Sequence, residues 1–577
     1  MKTIYKIFLP ALALLFSACD EDFLTLAPED TLSPVTYFST ETELRLWTNS
    51  FYTLLEEADS EAAMNADDNI DNALGDIMEG QRDAASEGGW TWSMLRRINY
   101  YLQHSFNCSD VSARNHYDGV AYFMRAYFYF EKVRRYGDVP WYNQVLGSAD
   151  DKLLYKARDN RELVMDSVMA DLDKAIALLP TAKSTVYVTK WTALAFKTRA
   201  ALYEGTYRKY HNLGNADKYL EQVATAGNDF IKNSGYSLYS TGTEPYRNLF
   251  NSADAISSEV ILTRIYSSTA NLMNGIQFNI NNMRQSFSRE FMNHYLMADG
   301  TRFSEQAGWQ TMLYAKETQN RDPRMKQTVL CPGYIQKGAS AATKNTLKSL
   351  TGYQCIKFIA ESAYDGASKG ISDWPLFRAA EVYLNYAEAK AELGTLTQDD
   401  IKMSINKIRT RAKMPDMVLT TANENIDPLM LQYYPNVTNS AFRGAILEIR
   451  RERTIEMCME GLRQWDLLRW KEGARFRGPY YGCYFPGPGK YDMDNDGVDD
   501  LVLWTGTRVT ITGGTSKEIG TDVILSEGTS GYIIAYKDNN LVWNEDRDYL
   551  WPIPADERVL SGGVLTQNPG WTDSTNY

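Results

Sequence analysis

Histidine is scarce in this sequence of 577 residues, which contains only four. A serine or cysteine nucleophile needs a neighbouring base, most often histidine, so few positions could activate one. Cysteine is also sparse: the six cysteines are far apart, and none has the short spacing of a zinc or redox motif. The sequence therefore indicates neither a metal-thiolate site nor a disulfide framework, although one pair could bridge in an oxidising compartment.

Positive charge is in deficit as well. The chain has 60 Lys and Arg against 73 Asp and Glu, which gives a formal net charge of −13. A surface of this sign repels polyanions, so we expect no nucleic-acid partner. Neutral ligands suit this chain better, and the 38 Tyr and 13 Trp supply rings that can contact both apolar faces and hydroxyl groups.

Long apolar runs are missing after residue 18, and a bilayer-spanning helix needs roughly 20 such residues. The run from Ile7 to Phe16 follows two lysines and is too short to span, which is typical of a signal peptide. We therefore predict a signal peptide over residues 1–18.

The end of this leader, Leu-Phe-Ser-Ala followed by Cys19, resembles a bacterial lipobox, in which the cysteine is acylated and becomes the new N-terminus. Asp20, Glu21 and Asp22 follow, and acidic residues at this place resemble a signal for display on the outer face of the outer membrane. We expect a cell outer-membrane protein, exposed at the surface and held in the lipid through Cys19. Ordinary secretion is the alternative.

The mature chain contains several pairs of amphipathic helical patterns, as helical repeats do. Apolar stripes with start and stop signals predict helices near 120–130 and 159–176, 189–207 and 216–231, and 380–391 and 397–412. The periodicity fades between residues 236 and 374, where ligand-contacting loops are expected. From Glu448 to Trp470 we predict one helix whose charged residues stabilise its solvent-facing side at three- and four-residue steps: Glu452, Glu456, Glu460, Arg463 and Asp466.

Ten short strings, in a fixed order along the mature chain, resemble the SusD/RagB family of outer-membrane nutrient-binding lipoproteins. The two most recognisable are RAYFYF at 125–130 and RYGDVP at 135–140. The others lie at 19–24, 26–30, 320–324, 381–389, 451–453, 465–470, 550–554 and 567–570.

The resemblance implies a mostly α fold: four tetratricopeptide-like helix pairs, plus an irregular, loop-rich, ligand-facing part with a few short strands. On this basis residues 19–40 form a lipidated tether and lead-in, and residues 41–577 form a single SusD-like body. Within it the helix pairs lie at about 114–235 and 375–415, the irregular ligand-facing region at about 236–374, and a C-terminal SusD-type region at about 416–577.

The resemblance also implies capture of oligosaccharides, without catalysis, for delivery to a SusC-like TonB-dependent transporter. Two other functions stay open. One is a surface polysaccharide hydrolase, since its paired carboxylates would leave no fixed spacing in sequence. The other is a capping subunit of the transporter that binds no sugar.

Carbohydrate contacts need flat rings together with acids, amides or arginines that bond to hydroxyls. This mixture, without a helical stripe, occurs in the segment of Asp67, Asp68, Arg82, Trp90 and Trp92, where the resemblance places part of the glycan site. A second group, Trp309 and Tyr314, lies in the irregular region. Each of these rings has a place in the core or in an interface as its alternative.

An acidic run resembles the first half of a calcium loop, with alternating aspartates and a glycine for the turn. Its twelfth position is Leu503 instead of the bidentate glutamate, so other acids would have to replace that ligand. Structural calcium and an exposed acidic turn are the two interpretations; no other cofactor is expected. The candidate ligands are Asp492, Asp494, Asp496, Asp499 and Asp500.

Overall fold

The computed structural model describes residues 37–57, 66–85, 88–147, 150–282, 284–438 and 440–572. The predicted signal peptide, the lipidated Cys19 and most of the tether lie outside these residues. The described chain is mostly helical, with a few short strands, as predicted.

The helices, in chain order, are α1 Glu41–Asn49, α2 Asp76–Glu79, α3 Ser93–His104, α4 Val111–Tyr136, α5 Asp151–Leu154, α6 Arg161–Leu178, α7 Lys190–Tyr210, α8 Ala216–Asn233, α9 Pro245–Asn251, α10 Ile276–Asn282, α11 Arg289–His294, α12 Tyr314–Glu317, α13 Met325–Thr328, α14 Ala379–Glu392, α15 Gln398–Met403, α16 Ile405–Arg411, α17 Leu419–Glu424, α18 Pro428–Tyr433, α19 Arg443–Glu456, α20 Arg463–Arg469 and α21 Ala555–Leu560. Single 3-10 turns separate several of them.

Within the described residues, the strands form four small sheets instead of one large one. Antiparallel pairs join β1 (Asn69–Ile70) to β3 (Ser286–Phe287), β2 (Val260–Arg264) to β4 (Trp374–Arg378), and β5 (Tyr480–Phe485) to β9 (Gly531–Ala535). In the fourth sheet, β7 (Leu501–Trp504) lies between antiparallel β6 (Gly489–Tyr491) and parallel β8 (Thr515–Glu518).

The predicted helix pairs are present and stack on one another, except that the helix predicted over 397–412 is two short helices, α15 and α16, with the non-helical Ser404 between them. Helix α4 packs along α6, α7 packs along α8, and α8 also packs against α14. The close approach of α7 and α8 depends on Gly205, where an added Cβ would lie 2.8 Å from the Leu220 side chain. Such stacking buries the apolar face that a single helix pair leaves open.

The prediction of one continuous helix from Glu448 to Trp470 is wrong. Helix α19 ends at Glu456, and α20 starts only at Arg463. Between them the chain turns with Met459 and Gly461 at φ +57° and +73°, in the left-handed region that an α-helix excludes.

The charged residues of this segment are also not on a solvent-facing side. Glu456 is fully buried and accepts hydrogen bonds from Arg324 at 3.1 Å and Arg378 at 2.7 Å, and also pairs with Arg411. Arg378 pairs further with Glu259, at 3.0 Å. Burial alone would raise the pKa of Glu456, but Arg411, Arg378 and Arg324 hold this pKa well below its usual range. These charged side chains therefore stabilise the protein interior and not a solvent-facing helix surface.

We predict that Glu456→Gln lowers the free energy of unfolding by about 3–5 kcal/mol, because it leaves three buried guanidinium groups without their shared carboxylate. Urea unfolding measures this change. The matched control is Glu57→Gln: Glu57 is 67% exposed and pairs with Arg264, so the loss should stay below about 1 kcal/mol. Equal losses in the two variants would contradict this account.

Candidate functional site

Three of the seven predicted carbohydrate contacts are buried structural residues, which corrects the prediction for them. Asp67 is 3% exposed and bridges Arg463 at 2.6 Å and Arg475 at 2.5 Å. Arg82 pairs with Asp548, and its guanidinium lies 4.5 Å from the Trp551 ring centroid. Tyr314 is also buried.

Tyr314 is 2% exposed, and its hydroxyl donates to the Leu330 carbonyl. Its ring lies among core residues, so it presents no face to a ligand. In a segment without regular periodicity, the sequence does not indicate whether a tyrosine or tryptophan side chain is buried or exposed. The sequence analysis therefore could not distinguish the buried Tyr314 from the half-buried Trp309.

Asp68 also has no access to a ligand at the surface, which corrects a fourth prediction. It is 3% exposed, and its Oδ2 makes no hydrogen bond within the part of the chain that the structure describes. Burial raises the pKa of Asp68, and the neighbouring Asp67 adds to this, whereas Arg463 opposes it.

Trp90 and Trp92 line a cavity of about 560 Å³. Trp90 is 5% exposed and packs edge-on against Trp92 and Tyr136, at centroid distances of 5.4 and 5.0 Å. The walls come from the start of α3, the segment after α4 and helix α21. Most of the larger wall side chains are apolar or aromatic: Leu95, Tyr142, Leu146, Leu154, Tyr155, Leu560 and Leu565.

Trp309 lies at a second cavity, of about 330 Å³, that shares no lining residue with the first. The ring is half-buried, in a 3-10 turn that begins after Gly308, whose φ of +69° suits glycine. The backbone carbonyl of Trp309 accepts a hydrogen bond from Arg289, at 2.9 Å. The remaining walls combine polar and apolar groups: Arg302, Ser304, Glu305, Pro428, Leu429 and Gln432.

Three tyrosines that the sequence analysis did not select continue this surface. Tyr481 and Tyr484 on β5 and Tyr532 on β9 are half-buried, while their strand neighbours point into the core. Tyr532 lies opposite Tyr484, with ring centroids 5.7 Å apart, and 5.4 Å from Tyr481. The sequence contains no usable signal for them, because the two half-buried tyrosines of β5 are three residues apart and share a face only through the register shift between Tyr481 and Tyr484.

A hydrogen bond connects the tyrosines to the Trp309 turn. The Tyr532 hydroxyl donates to the carbonyl of Gln310, at 2.8 Å, and the Arg289 guanidinium lies 4.6 Å from the Tyr532 ring centroid. Trp309, Tyr481, Tyr484 and Tyr532 therefore belong to one partly exposed aromatic surface beside the 330 Å³ cavity, which we call the aromatic platform.

The Asp-rich segment forms the loop between β6 and β7. One carboxylate oxygen each from Asp492, Asp494 and Asp500 lies within 4.8 Å of the others. Asp496 is farther out and exposed, and Asp499 is half-buried. The ammonium of Lys344 lies among these acids, 2.6 Å from Asp500, 3.2 Å from Asp496 and 3.7 Å from Asp494. The cluster therefore already faces one cation, and calcium binding stays a prediction.

The five cysteines of the described chain are buried, and none forms a disulfide: Cys108, Cys331, Cys355, Cys458 and Cys483. Among the same residues, no helix has both the length and the apolar character that crossing a membrane requires.

Comparison with known proteins identifies the family. The model of the SusD family matches residues 258–571, more than half of the chain. The chain belongs to the SusD family. A second family model, described as starch-binding and associating with the outer membrane, matches residues 91–202.

Individual SusD-like proteins agree with this result. SusD-like protein P38 of Formosa agariphila is 24% identical over 386 residues, which is 63% of this chain and 68% of that protein. A SusD-like protein structure from Bacteroides fragilis superposes with a TM-score of 0.69 at 24% identity, covering 95% of this chain and all of the other. A laminarin-binding SusD-like protein has a TM-score of 0.54 at 17% identity, covering 92% and 100% of the two chains.

We predict that Lys344→Met strengthens calcium binding by at least roughly tenfold, because it removes a competing positive charge from the acids. Calorimetric titration of calcium into the chelator-treated parent and variant measures this difference. Lys348→Met is the control, since Lys348 lies outside the acidic cluster. If neither the parent nor Lys344→Met binds calcium, the loop is an acidic turn that Lys344 neutralises.

Proposed function

We propose that this protein captures oligosaccharides at the aromatic platform and delivers them, uncleaved, to a SusC-like TonB-dependent transporter. The observation that supports this most strongly is the half-buried Trp309 ring in a cavity whose walls carry both charged and amide groups, with three half-buried tyrosines connected to the same turn by the Tyr532–Gln310 hydrogen bond. Sugar rings have apolar faces bordered by hydroxyls, so they need stacking surfaces and hydrogen-bonding groups together.

The polar groups at the cavity suit hydroxyl recognition. Glu305 is 52% exposed and lies 3.2 Å from Arg302, so its carboxylate can accept from hydroxyls while its charge stays compensated. Arg302 is also 3.6 Å from Asp427. One guanidinium and two carboxylates leave an excess of one negative charge, which the pairing of Asp427 with Arg451 offsets, and a site without excess positive charge favours neutral glycans over polyanionic ones.

Membership of the SusD family supports the same function. One similar structure is of a laminarin-binding protein, and the second matching family model is described as starch-binding. For this chain we infer a glycan ligand, an outer-membrane location with a lipid on Cys19, and a transporter partner. Hydrolysis and a purely capping role are the competing functions.

We predict that Trp309→Ala and Tyr484→Ala each weaken binding of the preferred oligosaccharide by roughly tenfold or more, since each removes one stacking face. The ligand is first found by calorimetry of the unlipidated protein with plant, host and microbial oligosaccharides. Tyr187→Ala is the matched control, because Tyr187 is 53% exposed and lines neither cavity.

Three outcomes would contradict the proposal. Release of reducing ends from a polysaccharide by the purified protein would establish a hydrolase. Binding to the transporter without binding to any glycan would establish a capping subunit. Unchanged affinity in both aromatic variants would place the glycan away from the platform.

A further inference from the structure

The cavity that contains Trp90 and Trp92 has an open, apolar rim. Three of its lining side chains are large hydrophobic groups with much of their surface in solvent: Leu154 is 42% exposed, Tyr155 52% and Leu560 70%. Exposed apolar residues that are scattered singly need no explanation, but a group around one cavity marks a place where another apolar group binds.

The most deeply buried polar side chain of this cavity, that of Asn99, is not available to a ligand; the other polar lining residues lie nearer the solvent: Ser93, Arg96, Gln144, Lys156, Glu557 and Ser561. Asn99 is 2% exposed, and its Nδ2 donates to the carbonyls of Tyr142 and Gln144, at 3.0 and 3.2 Å. Its Oδ1 accepts from Arg125, at 3.1 Å. Because these bonds use both ends of the amide, the interior suits aliphatic or aromatic groups better than hydroxyls.

The described chain begins close to this cavity. Phe38 packs on α3, with its ring centroid 6.0 Å from Tyr100 and 6.4 Å from His104. Tyr100 and His104 are four residues apart on one helical face, and Arg96, which lines the cavity, is the preceding member of the same row. The Tyr37 carbonyl accepts a hydrogen bond from Asn107, at 3.0 Å, so the described chain begins just past the C-terminal end of α3, roughly 16 Å along it from Arg96.

The sequence before Tyr37 has a matching composition. Phe23, Leu24 and Leu26 are apolar, and Asp20, Glu21 and Asp22 precede them. At the rim Arg96 is exposed, but Lys156 already pairs with Asp159, at 2.5 Å, and Glu557 adds an acid, so the apolar residues and not the acids of this segment match the cavity. Residues 26–37 span about 36 Å when extended, roughly twice the distance required.

We propose that Phe23, Leu24 and Leu26 dock in the cavity lined by Trp90 and Trp92, which we call the Trp92 cavity. This contact, the strap, would hold the N-terminal segment against the body. With a lipid on Cys19, as in the proposed function, the strap would shorten the connection between membrane and body. Residues 19–23 span about 14 Å, against about 60 Å for residues 19–37. The body would then have a fixed orientation at the membrane, instead of moving on a long tether.

Limited proteolysis tests the docking directly. The protein is residues 19–577 with Cys19→Ala, so that it carries no lipid, and chymotrypsin cleavage within residues 20–36 is followed by intact mass. We expect cleavage at least tenfold slower than in a synthetic peptide of residues 20–36. Leu560→Glu should raise the rate toward that of the peptide, because it places a charge at the apolar rim.

Leu213→Glu is the matched control, since Leu213 is 49% exposed and lies away from the cavity, between α7 and α8. Leu213→Glu should be cleaved at the same rate as the parent. Leu560→Glu and Leu213→Glu should both keep the parent's thermal unfolding midpoint, because both positions are exposed. Leu24→Asp should release the segment and expose the cavity to a hydrophobic dye that the parent binds weakly.

Two results would overturn the proposal. Cleavage of the parent as fast as the peptide, together with strong dye binding, would show an open cavity that takes another occupant. Protection that persists in both Leu560→Glu and Leu24→Asp would place the segment elsewhere on the body. Neither result bears on the glycan platform, which shares no residue with this cavity.

Discussion

The rest of the fold depends on buried ion pairing around helix α19. Glu456 pairs with three arginines: Arg324 from the turn before α13, Arg378 from the end of β4 and Arg411 from α16. A buried charge is costly unless it is compensated, so these four groups are stable only when their segments assemble together. Elements remote in sequence are thereby fixed relative to one helix.

The same helix reaches the proposed glycan site. Arg451 of α19 pairs with Asp427, which caps α18 by accepting from the Leu429 amide at 2.8 Å. Helix α18 then supplies Pro428, Leu429 and Gln432 to the wall of the Trp309 cavity. The cavity wall is therefore positioned by the interior charge network, although the turn that carries Trp309 is itself irregular.

Sequence periodicity was sufficient for the helix pairs, because their apolar stripes and caps are local. The capping box of Thr397 with Asp400, for example, starts α15 at the place where the helix predicted over 397–412 begins. The charged residues were harder, because their partners are distant: Asp67 pairs with Arg463, which lies 396 residues later. Without that partner, a buried aspartate beside tryptophans resembles a ligand contact, and Glu456 resembles a surface residue.

The tyrosines of the platform show a second difficulty. The register shift that turns both Tyr481 and Tyr484 outward is not visible in the sequence, and β5 and β9 are separated by a long stretch that contains three other strands. Neither strand alone presents more than two outward rings, and only their pairing brings Tyr484 opposite Tyr532. An aromatic surface of this kind is therefore a product of strand register, and a one-residue shift would point its rings into the core.

The two cavities differ in the groups that line them, and this difference argues for different occupants. The Trp309 cavity presents a guanidinium, a carboxylate and an amide beside half-exposed rings, so a ligand rich in hydroxyls finds partners there. The Trp92 cavity has its buried amide already bonded and its other polar side chains on the more exposed wall, so its interior offers a hydroxyl few partners. Burial of apolar surface is the favourable term that remains for that cavity, and it acts equally on a chain segment or a partner side chain.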